Sequence, residues 1–350
     1  MKAKSFAVAS KDSPLKYYEF DRREPTDSDV VVKIKYSGIC HSDIHTARGD
    51  WGDIEYPCVP GHEIIGEVVR IGNKVTQFKP GDIVGIGVMV NSCNKCAACK
   101  SDFEQYCENE PTYTYSSTDP IDGTDTKGGY SNLIVTQEKF VVHIPKDLDI
   151  SKAAPLLCAG ITMYSPLRHW GASTGKKVGI IGLGGLGHMG VKFAKAMGAE
   201  VYVITSSLAK VADAKKFGTD GVIVSSDPED MDKHERYFDL LIDTIPVEHN
   251  LEPYIKLLNI NSTIVLVGPI NPMPGYHGGD LIGGRKAIAG SGIGSMKELK
   301  EMLEFSGKHN ILPEVELIKF ADANMAWESM QNKAMSHRYV IDVERSFAEN

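Results

Sequence analysis

The 350-residue sequence predicts an α/β protein: a mostly β region, and a doubly wound parallel sheet. Three observations carry that expectation. Short β-like runs crowd residues 1–154. The glycine-rich turn GLGGLG at 182–187 joins an apolar run to a helix-periodic segment. Beyond it, strand-like runs alternate with helical stretches.

In the first region the runs VVVKIKYSG (30–38), EIIGEVVRIG (63–72) and GDIVGIGVMV (81–90) are rich in β-branched residues. Gly, Pro and Asp separate them, which predicts a compact, mostly antiparallel fold. Next comes SCNKCAACKSDFEQYC (92–107), with thiols at Cys93, Cys96, Cys99 and Cys107. Asn, Lys, Ser, Asp and Glu around them make poor core-strand chemistry, whereas short, turn-compatible intervals suit a tetrahedral zinc. Four thiolates leave no coordination position for a substrate, so this metal is expected to hold a lobe together. The seven cysteines, an odd number, suggest metal ligands in a reducing compartment rather than disulfides.

From about residue 155 the texture changes. KKVGII (176–181) reads as a strand, and Leu186, Met189, Gly190, Phe193, Ala194 and Met197 fall on one helical face, with Gly198 as the stop. Strands are expected at VYVIT (201–205), GVIV (221–224), DLLID (239–243) and TIVLVG (263–268). After about 295 follow a helix in MKELKEMLEFSGKHN, the stretch IKFADANMAWESMQN and a final strand, RYVIDV.

Composition narrows the partners. With 42% hydrophobic and 24% charged residues and a formal charge of −8, the chain reads as a soluble globular protein. It offers no electrostatic reason to bind nucleic acid or an anionic membrane. No apolar run is long enough to span a bilayer, and the N-terminal stretch lacks a signal-peptide core. The expected location is the cytoplasm.

The turn at 182–187 predicts a dinucleotide site. Gly182 permits the tight turn, Gly184 lets backbone approach a pyrophosphate, and Gly187 lets helix pack on strand; Leu183, Gly185 and Leu186 complete the loop. A purely structural Gly-rich turn is the alternative. An NAD site usually ends its second strand with an acid that bonds the ribose. Here the strand runs into Thr205, Ser206 and Ser207, and then Lys210. Two hydroxyls and an ammonium suit a 2′-phosphate, which points to NADP(H) over NAD(H). Ser206 or Ser207 capping a helix is compatible with that role.

Three further ligand types remain: Cys40 in CHSDIH, His62 in GHE and Cys158 in PLLCAG. Their spacing forms no local metal motif, and either thiol alone would ordinarily be a small core residue. Together, two thiolates and one imidazole with an open fourth position would describe a catalytic zinc.

These segments, taken in order with TKGGYSNLIV, PLLCAGITMYSPL, GLGGLGHMG, the SSxxK stretch and RYVIDV, carry a resemblance. The chain resembles the zinc-dependent medium-chain alcohol dehydrogenases, and among them the cinnamyl alcohol dehydrogenase branch. The resemblance implies a GroES-like catalytic domain from residues 1–154 and 296–350, and a Rossmann cofactor domain at 155–295. It implies two zinc ions per subunit: a catalytic one on Cys40, His62 and Cys158 with Glu63 as an occasional fourth ligand, and a structural one on Cys93, Cys96, Cys99 and Cys107. Ser42, Thr162, Thr244, Gly268, Ser291, Gly292 and Ile293 match cofactor contacts, and Arg338 matches a pyrophosphate contact. The GSGIG segment matches the strand through which such proteins dimerise, so a homodimer is expected.

The implied chemistry is reversible hydride transfer. Ser42 would exchange the alcohol proton and pass it through the ribose hydroxyls to His45, a residue type suited to exchange with solvent. Asp43 would accept a hydrogen bond from the outer nitrogen of His62. Ser42 as a helix cap and His45 as a surface histidine are the structural alternatives, and His41 and Cys58 are read as structural. Trp51, Tyr113 and Gly292 are candidate pocket residues. The position matched by Gly292 often carries a bulky side chain, so a wide pocket for aromatic and aliphatic aldehydes is expected. A polyol or short secondary-alcohol substrate is one alternative, and a non-catalytic sensor of NADP state is another.

Overall fold

The computed structural model describes residues 1–268, 272–332 and 337–348. The chain divides into two compact units. The first holds Met1–Cys158 with described residues 295–332 and 337–348; the second holds Ala159–Gly294. The divisions fall after Cys158 and before Ser295 rather than after residues 154 and 295. The tight turn Ala154–Leu157 explains the first difference, since it is buried and packs on strands of the first unit, carrying Cys158 with it.

The first unit is built on a seven-stranded sheet. Its order runs Val315–Ile318, Arg338–Asp342, Asp29–Gly38, Ile64–Ile71, Ile83–Ile86 and Val142–His143, with Leu133–Gln137 also paired to Asp29–Gly38. The first pair is parallel and the rest are antiparallel. In the central strand Val30, Val31, Val32 and Ile34 are all buried, so this run is covered on both faces. Its register sets Ser37 opposite Ile64 and Gly38 opposite Val340. That pairing draws the residues just before Ile64 and those around Arg338 to one end of the strand. The run 81–90 is not one strand. Ile83–Ile86 joins the main sheet, while Met89–Asn91 pairs with Thr112–Tyr113. The break falls at Gly87, where a Cβ would stand 2.9 Å from the Leu157 carbonyl oxygen.

The second unit has a six-stranded, all-parallel sheet in the order Gly221–Val224, Glu200–Thr205, Lys177–Ile181, Phe238–Asp243, Leu258–Leu266, Ala287–Gly290. The order reverses between Lys177–Ile181 and Phe238–Asp243, and ligands bind at such a switch point. One core includes Ile181, Ile204, Ile223, Phe238, Leu241, Ile255 and Ile264. On the helix Gly187–Ala196, Met189, Val191, Phe193 and Ala194 are buried. Gly190 there lies against Met163 of the helix Ala159–His169. Among the described residues, no helix is long and apolar enough to cross a membrane.

Candidate active site

One end of the central strand of the first unit gathers the scattered ligand types. Cys40 is the N-cap of the helix His41–Arg48, and its backbone N–H donates to Asp43 Oδ2 at 2.9 Å. His62 and Glu63 directly precede the strand Ile64–Ile71, and Cys158 follows the turn Ala154–Leu157. Ligand atoms of Cys40, His62, Glu63 and Cys158 all lie within 4.8 Å of one another. Asp43 is fully buried and accepts from Gly61 N–H at 3.1 Å, while its Oδ1 lies 3.0 Å from His62 Nδ1. An ionised Asp only accepts, so that bond puts the proton on Nδ1 and leaves the Nε2 lone pair free. Nε2 is buried and has no hydrogen-bond partner in the protein. An orphaned buried imidazole nitrogen beside two thiols is what a metal ion satisfies, and the donor set fits zinc with an open position. The thiols differ: the hydrogen bond from Cys158 holds Cys40 well below the usual thiol range, and Cys158 is pushed up in turn.

Glu63 sits deeper. Its Oε1 accepts from Arg338 Nη2 at 2.5 Å, and the same nitrogen donates to the Ile39 carbonyl at 2.9 Å. Burial pushes the Glu63 carboxyl up to about 7, with the Arg338 guanidinium opposing. Arg338 is buried in this pair within the first unit, an arrangement that sequence reasoning, which matched it to a pyrophosphate contact, did not foresee. Gly38 makes room: a Cβ there would stand 2.0 Å from Glu63 Oε2.

The second unit carries the residues expected at the dinucleotide site. Gly182 adopts φ 89°, a region glycine enters freely. At Gly187 a Cβ would stand 2.1 Å from the Gly182 oxygen, so helix and turn can meet only through glycine; at Gly184 a Cβ would meet nothing within 4 Å, leaving that side open. Leu183 is buried, and Gly185 and Leu186 are half-buried, Leu186 at the N-cap of the helix Gly187–Ala196. Thr244 Oγ1 donates to the Ile181 carbonyl at 2.7 Å and stands beside Gly182; Gly268 packs on Thr244 backbone. After Thr205, Ser206 and Ser207 are exposed, whereas Lys210 is buried at the start of the helix Lys210–Lys216. Thr162 is buried in the helix Ala159–His169. Ser291 is half-buried, Gly292 exposed, and Ile293 holds φ 54°. A β-branched residue in that region costs about 1–3 kcal/mol, and such strain is usually kept at functional positions. Sequence reasoning missed His249, whose Nε2 lies 2.9 Å from Oδ2 of the buried Asp243, beside Thr244 at the switch point.

The comparisons with known proteins match this geometry. Residues 26–146 match the alcohol dehydrogenase GroES-like domain, and residues 185–308 match the zinc-binding dehydrogenase family. A probable mannitol dehydrogenase from Medicago sativa is 47% identical over 99% of this chain and 96% of its own length. The chain belongs to the zinc-dependent medium-chain alcohol dehydrogenases. Within them it falls in the cinnamyl alcohol dehydrogenase branch and is an oxidoreductase acting on CH–OH donors. The aldehyde reductase YahK from Escherichia coli is 45% identical over 98% of both chains. A cinnamyl alcohol dehydrogenase from Helicobacter pylori, solved complexed with NADP(H), superposes with a TM-score of 0.93 at 42% identity, covering 99% of both chains.

In this dehydrogenase the four clustered thiols also converge, Cys93, Cys96, Cys99 and Cys107 lying within 4.8 Å of one another. Cys93 Sγ accepts from Cys96 N–H and Cys96 Sγ from Cys99 N–H, both at 3.4 Å. Backbone N–H groups, that of Lys95 foremost, hold the Cys93 thiol down to about 5, while burial pushes Cys99 up to about 11. Asn94, Asp102 and Glu110 turn the chain at positive φ to make the fold-back.

Ser42 lies inside the first turn of the helix His41–Arg48, with its Oγ 3.5 Å from Cys40 Sγ; the cap is Cys40, so capping does not occupy Ser42. His45 is partly exposed. Its Nδ1 lies 2.8 Å from Asp50 Oδ2, and its ring stacks on Trp51 at 5.2 Å. Asp50 escaped sequence reasoning; the usable signal was Gly49, whose left-handed C-cap turns Asp50 back under the helix. Tyr115, also missed, is buried and stacks on the His62 ring at 5.8 Å. Trp51 and Tyr113 are both exposed. His41 bonds the Met330 carbonyl, and Cys58 is a buried thiol beside Ser116.

Proposed function

We propose that the protein is an NADP(H)-dependent zinc alcohol dehydrogenase that reduces aromatic and aliphatic aldehydes to primary alcohols, reversibly and with broad specificity. The observation that carries this reading is the convergence of Cys40, His62 and Cys158 from distant parts of the chain around one orphaned imidazole nitrogen. Held by those three residues, with Glu63 as an occasional fourth ligand, a zinc ion supplies Lewis acidity toward the substrate oxygen.

The chain's own residues do the rest. Asp43 holds the His62 ring in the tautomer that presents Nε2. The Ser42 hydroxyl exchanges the substrate proton, and His45, oriented by Asp50, exchanges it with solvent. Arg338 keeps the Glu63 carboxylate drawn back at 2.5 Å. In the second unit the GLGGLG turn, with Thr162, Thr244, Gly268, Ser291, Gly292 and Ile293, receives the dinucleotide. Ser206, Ser207 and Lys210 select the 2′-phosphate, a choice supported by the absence of an acid after Thr205 and by the Helicobacter pylori relative solved with NADP(H). Cys93, Cys96, Cys99 and Cys107 hold a structural zinc. In this reading the first unit is the catalytic domain and the second the cofactor domain. The strand Ala287–Gly290, which among the described residues pairs on one side only, supports a homodimer formed through that edge. The expected compartment is the cytoplasm.

A second reading makes the substrate a polyol, favoured by the Medicago sativa relative named for mannitol. Initial rates with NADPH and benzaldehyde, cinnamaldehyde, butanal and acetone, and with NADP and mannitol, decide between them. The aldehyde reading expects the three aldehydes to exceed acetone and mannitol in kcat/KM. With NADP, mannitol being oxidised faster than benzyl alcohol is oxidised to benzaldehyde would sink it.

A further inference from the structure

The aspartate behind His62 is itself held from a distance. Tyr130 is fully buried, and its hydroxyl donates to Asp43 Oδ2 at 3.3 Å. Trp327, on the helix Ala323–Asn332, donates its indole N–H to the Tyr130 oxygen at 3.3 Å. An indole N–H can only donate. The Tyr130 oxygen therefore accepts from Trp327, and its own hydrogen is turned toward Asp43. The ionised Asp43 can only accept, and it takes Nδ1–H from His62. Two donors, the Tyr130 hydroxyl and His62 Nδ1–H, thus converge on Asp43, and the second of these bonds leaves the Nε2 lone pair free. Accepting from Trp327 makes the Tyr130 hydroxyl a stronger donor to Asp43.

Packing fixes the same group. Gly61, next to His62, has φ 103°, and a Cβ there would stand 2.6 Å from the Tyr130 ring. Tyr130 packs edge-on to Phe320 at 6.0 Å between ring centres, and Arg48 lies over the Trp327 ring at 5.8 Å. His41 bonds the carbonyl of Met330 on the helix that carries Trp327. The helix that starts at Cys40 and the segment that ends at His62 thus share one brace.

Resting on the reading that Cys40, His62 and Cys158 hold zinc, we infer that Tyr130 and Trp327 are positioning residues for that metal: they set the tautomer and orientation of His62 through Asp43. Neither touches substrate or cofactor in this assignment. Replacing a partner of a metal ligand typically costs about 10- to 100-fold in metal affinity.

The test uses the full-length chain as wild type, Tyr130→Phe, Trp327→Phe, the double variant and Cys158→Ser. Zinc affinity is read at each of the two sites by chelator competition, and the absorption spectrum of the cobalt-loaded protein reports ligand geometry. Tyr130→Phe is expected to weaken one zinc roughly 10-fold and shift the cobalt bands, leaving the four-thiol zinc unchanged. Trp327→Phe should weaken the same zinc by less, and the double variant should be no worse than Tyr130→Phe alone. Unchanged affinity in Tyr130→Phe, or equal weakening at both sites, overturns the inference. If Tyr130→Phe does not fold, Trp327→Phe decides alone: selective weakening supports the brace, and wild-type affinity overturns it. If Cys158→Ser keeps both zinc ions at wild-type affinity, the ligand assignment itself is wrong and the brace falls with it.

Discussion

In the proposed reading, cofactor choice rests largely on one side chain, Lys210. Burial holds its ammonium below the ordinary lysine value, with Asp213 opposing. A phosphate beside it would raise that value again, since an opposite charge favours the ionised form. The sign follows. Above the pKa of free Lys210, binding NADPH must take up a proton, so NADPH affinity falls as pH rises, whereas NADH has no phosphate there and stays level. Fluorescence titration of both dinucleotides between neutral and alkaline pH checks this. Lys210→Ala is expected to lose roughly 10- to 100-fold in NADPH affinity, the range of a charge-assisted hydrogen bond, and to flatten the pH dependence. A variant that binds NADPH like wild type would remove Lys210 from the site. Gly38 teaches a different lesson at the same scale. In the sequence it is an ordinary strand-end glycine, yet the Glu63 carboxylate occupies the space its Cβ would take.

Elements were legible to the degree that their signals are local. The four-thiol lobe could be read because its ligands share sixteen consecutive positions, residues 92–107, and the structure closes them within 4.8 Å. The cradle could be read because a strand, three spaced glycines and a helical stripe follow one another without interruption. The run 81–90 could not be read as two strands, because its break depends on Leu157, far along the chain. The pairing of Arg338 with Glu63 and the approach of Trp327 to Tyr130 depend on strand register and helix docking in the same way. The lobe also carries its own prediction. Phe103 and Tyr106 are exposed, and three residues at positive φ shape its turns, so little apolar burial holds it shut. Structural zinc contributes directly to folding. Cys96→Ser is expected to release one zinc and lower the unfolding midpoint, while the protein that remains folded keeps its kcat. Differential scanning calorimetry with parallel metal analysis measures this, and an unchanged midpoint after loss of that zinc would contradict it.

At the scale of the whole molecule, every ligand of the proposed catalytic zinc belongs to one unit and the GLGGLG cradle to the other. Each unit has its own sheet. Metal binding and dinucleotide binding are therefore expected to be separable by a single substitution. Cys40→Ser removes one thiolate and leaves Cys158 and His62 beside a hydroxyl, a much weaker zinc donor than sulfur. The bonds of Cys40 run to Asp43, Ser42 and Cys158, all of its own unit. The expected outcome is loss of one zinc and of turnover, with NADPH affinity within about twofold of wild type and an unfolding midpoint that falls less than in Cys96→Ser. Fluorescence titration, metal analysis and calorimetry on the same preparation read all three. Retained turnover in Cys40→Ser would mean that the chemistry does not need the first ligand. Loss of NADPH binding alongside the zinc would mean that the two units do not bind independently.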